Sequence, residues 1–254
     1  MKMEFSIAAA ALFGMASVQG AMASEIKLLT TGAFKSVVMA LLPEFEKSTG
    51  HKVVVDNGTV GQLTKRVDGG ETFDVLVLSP KGIEDYIAKG KLAAGSRVVL
   101  AKVGVGVMVK EGAPKPDVSS VEAFKQALLK AKTVGYIDPA SGGSSGIYVD
   151  GLLTKLSIAD QIKPKAKLQK GGHVSDLVVA GEAEIGIHQM SEIVGQKGVT
   201  LVGPLPAEIQ NYTTYAAGVS ATAKDADAAK ALLKALSGPS LASVLKSKGM
   251  EPAS

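Results

Sequence analysis

The stretch KVVVDNGTVGQLTKRVDGGETFDVLVLSPKGIEDYIAKG, residues 52–90, carries the pattern that decides the fold. It opens on three consecutive valines, a β-branched run that reads as a strand. GQLTKRVDGG (61–70) places apolar residues at helical spacing and ends on two glycines, so it reads as a short amphipathic helix. FDVLVLS (73–79) is apolar without alternation, the signature of a strand buried on both faces. KGIEDYIAKG (81–90) is a second helix, stopped by Gly90. Just upstream, IKLLT (26–30) and AFKSVVMALLPEFEKSTG (33–50) form one more strand–helix unit, ending at Gly50. Three such units in succession predict a parallel sheet covered by helices on both faces.

Downstream the chain changes character and then repeats the theme. RVVLAKVGVGVMVK (97–110) is a long strand-type run punctuated by Gly104 and Gly106. After Pro114 and Pro116, Ser119 and Glu122 have capping-box spacing and open a helix running to about residue 131. TVGYID (133–138) reads as a strand, PASGGSSG (139–146) as a loop, and 145–156 as a helix. KLQK (167–170), IGIHQ (185–189), VTLVG (199–203) and TYAAGVSA (214–221) read as strands, and HVSDLVVAGEAE (173–184) as a helix. Two helices, 225–238 and 239–249, close the chain. The expected architecture is α/β: two doubly wound lobes joined by two crossing strands, near 100–110 and 212–219, around a hinged cleft. The expected boundaries are 24–101 plus 221–254 for lobe 1 and 102–220 for lobe 2.

Composition narrows the function. The chain has 254 residues, 28 basic and 24 acidic side chains, no cysteine, no tryptophan and 4% aromatics. A disulfide framework and a cysteine-ligated metal are excluded. The net charge of +4 comes without a basic run, and few rings are available for stacking, so nucleic acid is not an expected partner. Residues 1–23 read as a secretory signal peptide: Lys2, an apolar run from Phe5, and the small-x-small site Ala21-Met22-Ala23. That expectation places the mature chain free in the periplasm.

What the chain offers in quantity is backbone amide, with 29 glycines. Four strand-to-helix turns share one pattern of small residues: 30–33 (TTGA), 57–61 (NGTVG), 141–146 (SGGSSG) and 171–175 (GGHVS). Turns of this kind point N–H groups and hydroxyls at the carboxyl ends of the strands, where an anion can bind at helix N-termini. The plainer reading is that small residues merely make tight turns. The 141–146 loop also fits G-x-S-x-G, but it lacks the strand directly before the serine that a hydrolase elbow needs. His51 sits in a polar helix-to-strand turn and reads as solvated. His188 and Glu192 are four apart and touch if a helix begins there, but the neighbourhood supplies too few further ligands for a metal. No cofactor and no metal are expected.

The order of these loops resembles the periplasmic solute-binding proteins of ABC importers, in the molybdate-binding subgroup. TTGAFKSV, NGTVGQLTKRV, FDVLVLSPKGIEDYI, DPASGGSSGIYVDGLLTKL and HVSDLVVAGEAEIGIHQMSEI carry the resemblance, with SGIY and AEIGI the most specific pieces. It implies a type II periplasmic-binding-protein fold, a small anionic ligand, an ABC permease as partner and a monomer. Carried over by motif, it implies ligand contacts at Thr31, Gly32, Ala33, Thr59, Gly61, Ser144, Ser145, Val174 and Gln189. Two positions depart from the pattern: Ala33 stands where a serine is usual, and Gln189, beside His188, where a tyrosine is usual. LVGPLPAEIQ (201–210) is similar to a branch that includes periplasmic aconitate isomerase. That likeness implies an alternative: a cofactor-free isomerase of an unsaturated tricarboxylate, with His188 moving a proton and Lys35 holding carboxylates.

Overall fold

The computed structural model describes residues 23–253; the expected signal peptide lies almost wholly outside these residues. The first half of the chain forms β1 (Glu25–Thr31), α1 (Gly32–Thr49), β2 (Lys52–Gly58), α2 (Val60–Asp68), β3 (Val75–Leu78) and α3 (Pro80–Ala88). β4 (Val98–Lys110) leads into the second half: α4 (Val121–Lys130), β5 (Val134–Ile137), α5 (Ser144–Lys155), α6 (Ala159–Ile162) and β6 (Ala166–Gln169). There follow α7 (Val174–Val179), β7 (Ile185–Gln189), β8 (Val199–Pro204), β9 (Tyr212–Val219), α8 (Ala226–Leu236), α9 (Leu241–Ser247) and β10 (Glu251–Pro252).

The strands join one continuous sheet in the order β2-β1-β3-β9-β4-β7-β5-β6, with β8 and β10 also pairing with β4. β1, β2 and β3 run parallel, as do β5, β6 and β7. The middle is antiparallel, and there β4 does two jobs. Its residues from Val98 to Gly104 pair with β9, and those from Val105 to Val109 pair with β7. One strand therefore serves two parallel blocks.

The apolar cores divide the same way. Phe34, Val37, Val38, Leu41 and Phe45 on one face of α1 pack with Leu232, Leu236 and Leu245 of α8 and α9, so the last helices return to the first block. Phe124 of α4, Leu128, Tyr136, Leu152, Leu153 and Ile187 fill the second.

Three local expectations are corrected, and one short strand is added at the C-terminal end. Helix α4 is capped by Ser120, whose hydroxyl accepts from the Ala123 N–H, not by Ser119. The Ser119 N–H instead donates to Asp117, which sets up a turn one residue early. Helix α7 has six residues and is followed by Gly181 in the left-handed region (φ 78°), which cannot continue a helix. His51 is buried, because the Ser24 N–H donates to its Nδ1 as β1 begins. β10 pairs antiparallel with β4 despite its Pro252, an edge position that needs no N–H there.

Candidate functional site

The carboxyl ends of β1, β2, β5 and β7 converge on one cavity of about 90 Å³ between the two blocks. On this measure one water needs roughly 10–15 Å³, so the space suits a small molecule. No lysine or arginine is among its lining residues. Among the described residues there is also no cluster of three or more His, Cys, Asp or Glu side chains placed to hold a metal ion.

Helix N-termini make its walls, and the four turns do not contribute alike. α1 starts at Gly32 with Thr31 as its N-cap, and no side chain caps its amides. α5 starts at Ser144 with Gly143 as its N-cap, again with no side-chain cap. Two long helices thus present free amide ends to the cavity, where their dipoles favour negative charge. α5 reaches this place because Gly143 and Gly146 let it lie against the end of β5. A methyl group on Gly146 would fall 2.1 Å from the Ile137 carbonyl oxygen.

α2 differs. Its amide end is closed by a capping box in which Thr59 accepts from the Gln62 N–H and Gln62 Oε1 accepts from the Thr59 N–H. The Thr59 hydroxyl donates to the Ser141 carbonyl across the cleft. Beside it the Gly61 N–H donates to the Gly142 carbonyl at 3.1 Å, and Gln62 Nε2 donates to the Lys170 carbonyl. This loop is a latch between the blocks, and the polar groups of Thr59 and Gly61 are engaged in it.

The floor is a polar network. Gln189, at the end of β7, donates to Ser144 Oγ at 2.8 Å and to Thr213 Oγ1 at 3.1 Å, and its Oε1 accepts from the Tyr215 hydroxyl at 2.6 Å. A phenol is therefore present, supplied by β9 and turned onto Gln189. Burial pushes its pKa up strongly. With its Oγ accepting from Gln189, Ser144 keeps its own hydrogen for another acceptor.

Beside this network stands an acid–base pair. A 3-10 turn at Met190–Glu192 carries Glu192 back under His188, with Oε2 at 3.2 Å from Nε2. Both side chains are buried and both line the cavity. Burial raises the Glu192 carboxyl above the usual range. Burial, helped by His173, lowers the His188 imidazole. The pair is thus held overall neutral. His173 Nδ1 lies 3.9 Å from Glu192 Oε1, and burial lowers this imidazole as well. Thr31 Oγ1, His173 Nδ1 and His188 Nδ1 are buried with no hydrogen-bond partner.

Of the expected contacts, Thr31, Gly32, Ala33, Thr59, Ser144, Ser145, His188 and Gln189 line the cavity. Three do not. Gly61 packs on Gly142, the Val174 side chain sits in a separate apolar cluster, and Lys35 lines an outward groove with Met39 and Glu46. Lys35 reaches the cleft only as a field that lowers His173. Glu192, Tyr215, His173 and Asn57 line the cavity without having been expected there. Asn57 and His173 lie in the turns 57–61 and 171–175 that the sequence marks as anion-binding, and the i,i+4 spacing with His188 was the one sequence signal for Glu192.

Two α/β blocks closing on anion-favouring helix ends define a solute-binding protein. The chain belongs to the bacterial extracellular solute-binding protein family, whose profile matches residues 26–251. It is similar to an aconitate isomerase of Pseudomonas sp, 30% identical over 235 residues, covering 90% of this chain and 88% of that protein. It is also similar to the molybdate-binding protein ModA of Azotobacter vinelandii, 27% identical over 238 residues and 90% of each chain. The solved periplasmic molybdate-binding protein of Azotobacter vinelandii superposes with a TM-score of 0.77 at 19% identity, over 90% of this chain and 100% of that one.

Proposed function

We propose that the protein captures a small organic anion with two or more carboxylates in the periplasm and presents it to an ABC permease. One observation carries this reading: the uncapped N-termini of α1 and α5 enter one cavity from two blocks, giving two separate anion positions. A bare tetrahedral oxyanion asks instead for several hydroxyl donors around one point. Ala33 supplies none, the polar groups of Thr59 and Gln189 are engaged elsewhere, and the remaining hydroxyls of Thr31, Ser144 and Ser145 stand at two separate helix ends. Calorimetry with citrate, cis- and trans-aconitate, molybdate and sulfate tests it. Binding of molybdate with none of the carboxylates would overturn the ligand class. Uptake of the bound carboxylate that survives deletion of the gene would remove the transport role.

A second reading is supported by the Glu192–His188 pair and by the 30% identical relative named as an aconitate isomerase. A buried pair that can exchange a proton is not needed for binding alone. In this reading the protein moves a double bond in an unsaturated tricarboxylate by a 1,3-proton shift. Incubation with trans-aconitate, followed by NMR, tests it, and no conversion above the buffer control ends it.

A further inference from the structure

Glu192 is a carboxyl at an anion-binding cleft with no lysine or arginine within 4 Å among the described residues. Such a group works against binding unless it has another task. Its two oxygens have different surroundings. Oε2 faces His188 Nε2 at 3.2 Å. Oε1 lies so close to the start of α1 that a methyl group on Gly32 would come within 2.7 Å of it. That is where an anion held by α1 would sit. The other titratable groups around it are His173 from the turn before α7, Tyr215 from β9, and Lys35 from α1, which lies outside the lining.

Resting on the isomerase reading above, we propose that Glu192 is the catalytic residue, acting as a two-oxygen proton relay backed by His188. Oε1 takes a proton from the methylene carbon of the bound unsaturated tricarboxylate, so a C–H bond breaks and an O–H bond forms. In the same step the proton on Oε2 passes to His188 Nε2. The electron pair left on carbon spreads over the allylic system and its carboxylates. Reversal then delivers the Oε1 proton to the carbon two atoms along, and His188 returns its proton to Oε2. Glu192 and His188 end as they began, and no oxidant or cofactor is consumed.

Three observations fit this assignment. His188 Nε2 is covered by Glu192, so the imidazole acts on a ligand through the carboxyl. The neutral pair brings no buried negative charge against a polyanion, in keeping with the raised carboxyl and lowered imidazole. The charge that develops on the ligand faces the amide ends of α1 and α5, which need no rearrangement to stabilise it.

The test uses the purified protein with trans-aconitate in deuterated buffer. The cis isomer should appear with the migrating hydrogen retained and little carbon-bound deuterium, because Oε1 hands back the proton it took. Glu192→Gln should lower kcat by about 10²–10⁴-fold while still binding trans-aconitate. If the unsubstituted protein does not convert trans-aconitate, the isomerase reading fails and takes the relay with it; conversion with one deuterium placed on carbon per turnover would overturn the relay. If it converts and Glu192→Gln stays within about tenfold of it, the relay alone fails. Loss of binding together with turnover would make Glu192 structural and also overturn the relay. Should Glu192→Gln not fold, Glu192→Asp decides: a carboxyl one methylene short should depress kcat with KM unchanged, and an undiminished kcat refutes the role.

Discussion

In the unfolded chain Glu192 loses its proton near 4.5 and His188 near 6.5, so between these values the two together hold one proton. In the fold they also hold one, since burial keeps the carboxyl protonated and the imidazole unprotonated. Stability is therefore independent of pH between 4.5 and 6.5 as far as this pair is concerned. Above 6.5 the unfolded pair holds none while the native pair keeps its proton, so stability falls as pH rises until the native carboxyl gives it up at about 8. Below 4.5 the unfolded pair holds two, so stability falls as pH drops until the native imidazole also takes up its proton at about 3. Each limb has a slope of about 1.4 kcal/mol per pH unit. Denaturant titrations of the protein and of a Glu192→Gln, His188→Gln double variant should give a difference curve with this plateau. A curve that changes monotonically would show that the native pair does not hold a single proton. Thr31 gives a second prediction at this scale. Its hydroxyl is buried with no partner, so Thr31→Val should leave unfolding stability unchanged or slightly higher. Calorimetry should then show ligand affinity about fivefold weaker, the loss of roughly 1 kcal/mol. Residues such as Gly32 and Ser144 were legible from their place at strand-to-helix turns. Glu192 was visible only as a spacing, because its task depends on packing against Gly32, 160 positions away in sequence. His51 misled for the same reason: its partner Ser24, 27 positions away, stands at the start of the neighbouring strand β1.

At the scale of elements, the strand–helix alternation was legible because glycines end so many helices and continuous apolar runs mark the buried strands. What the pattern could not show was which helix N-termini remain free. Thr59 and Gln62 have the residue types of a capping box, and they close α2, while α1 and α5 have none and stay open. The latch between α2 and the loop before α5 depends on two glycines in backbone contact. A methyl group on Gly61 would lie 2.8 Å from Gly142 Cα and 3.0 Å from the Ser141 carbonyl oxygen. Gly61 has no positive φ, so Gly61→Ala strains nothing within α2 itself. The expected outcome is weaker ligand binding with an unchanged melting temperature in the absence of ligand. Equal affinity in calorimetry would show that the latch plays no part in holding the ligand. Gly142→Ala is the harsher change, because Gly142 also has φ 72°, a region costing roughly 1–2 kcal/mol for a residue with a Cβ.

For the molecule as a whole, the return of α8 and α9 to the first core makes the cleft a property of the entire chain. Leu232, Leu236 and Leu245 pack on the same α1 whose other end meets the cavity. Ligand binding should therefore stabilise the fold as a unit, and thermal unfolding can report ligand identity. A ligand at 100 times its dissociation constant adds about 2.7 kcal/mol. For a chain of this length each 1 kcal/mol moves the midpoint by about 2–4 °C, so a saturating ligand should raise it by roughly 5–10 °C. The expectation is a shift of this size with cis- or trans-aconitate or citrate, and none with molybdate or sulfate at equal concentration. The shift should also shrink as pH rises through the range where the native Glu192–His188 pair gives up its proton, because the cleft then acquires a buried negative charge that opposes the ligand. In Glu192→Gln the shift should keep its size across that range. A shift in the unsubstituted protein that is constant with pH would mean that the anion never meets this carboxyl. The ligand site would then have to be redrawn around α5 alone.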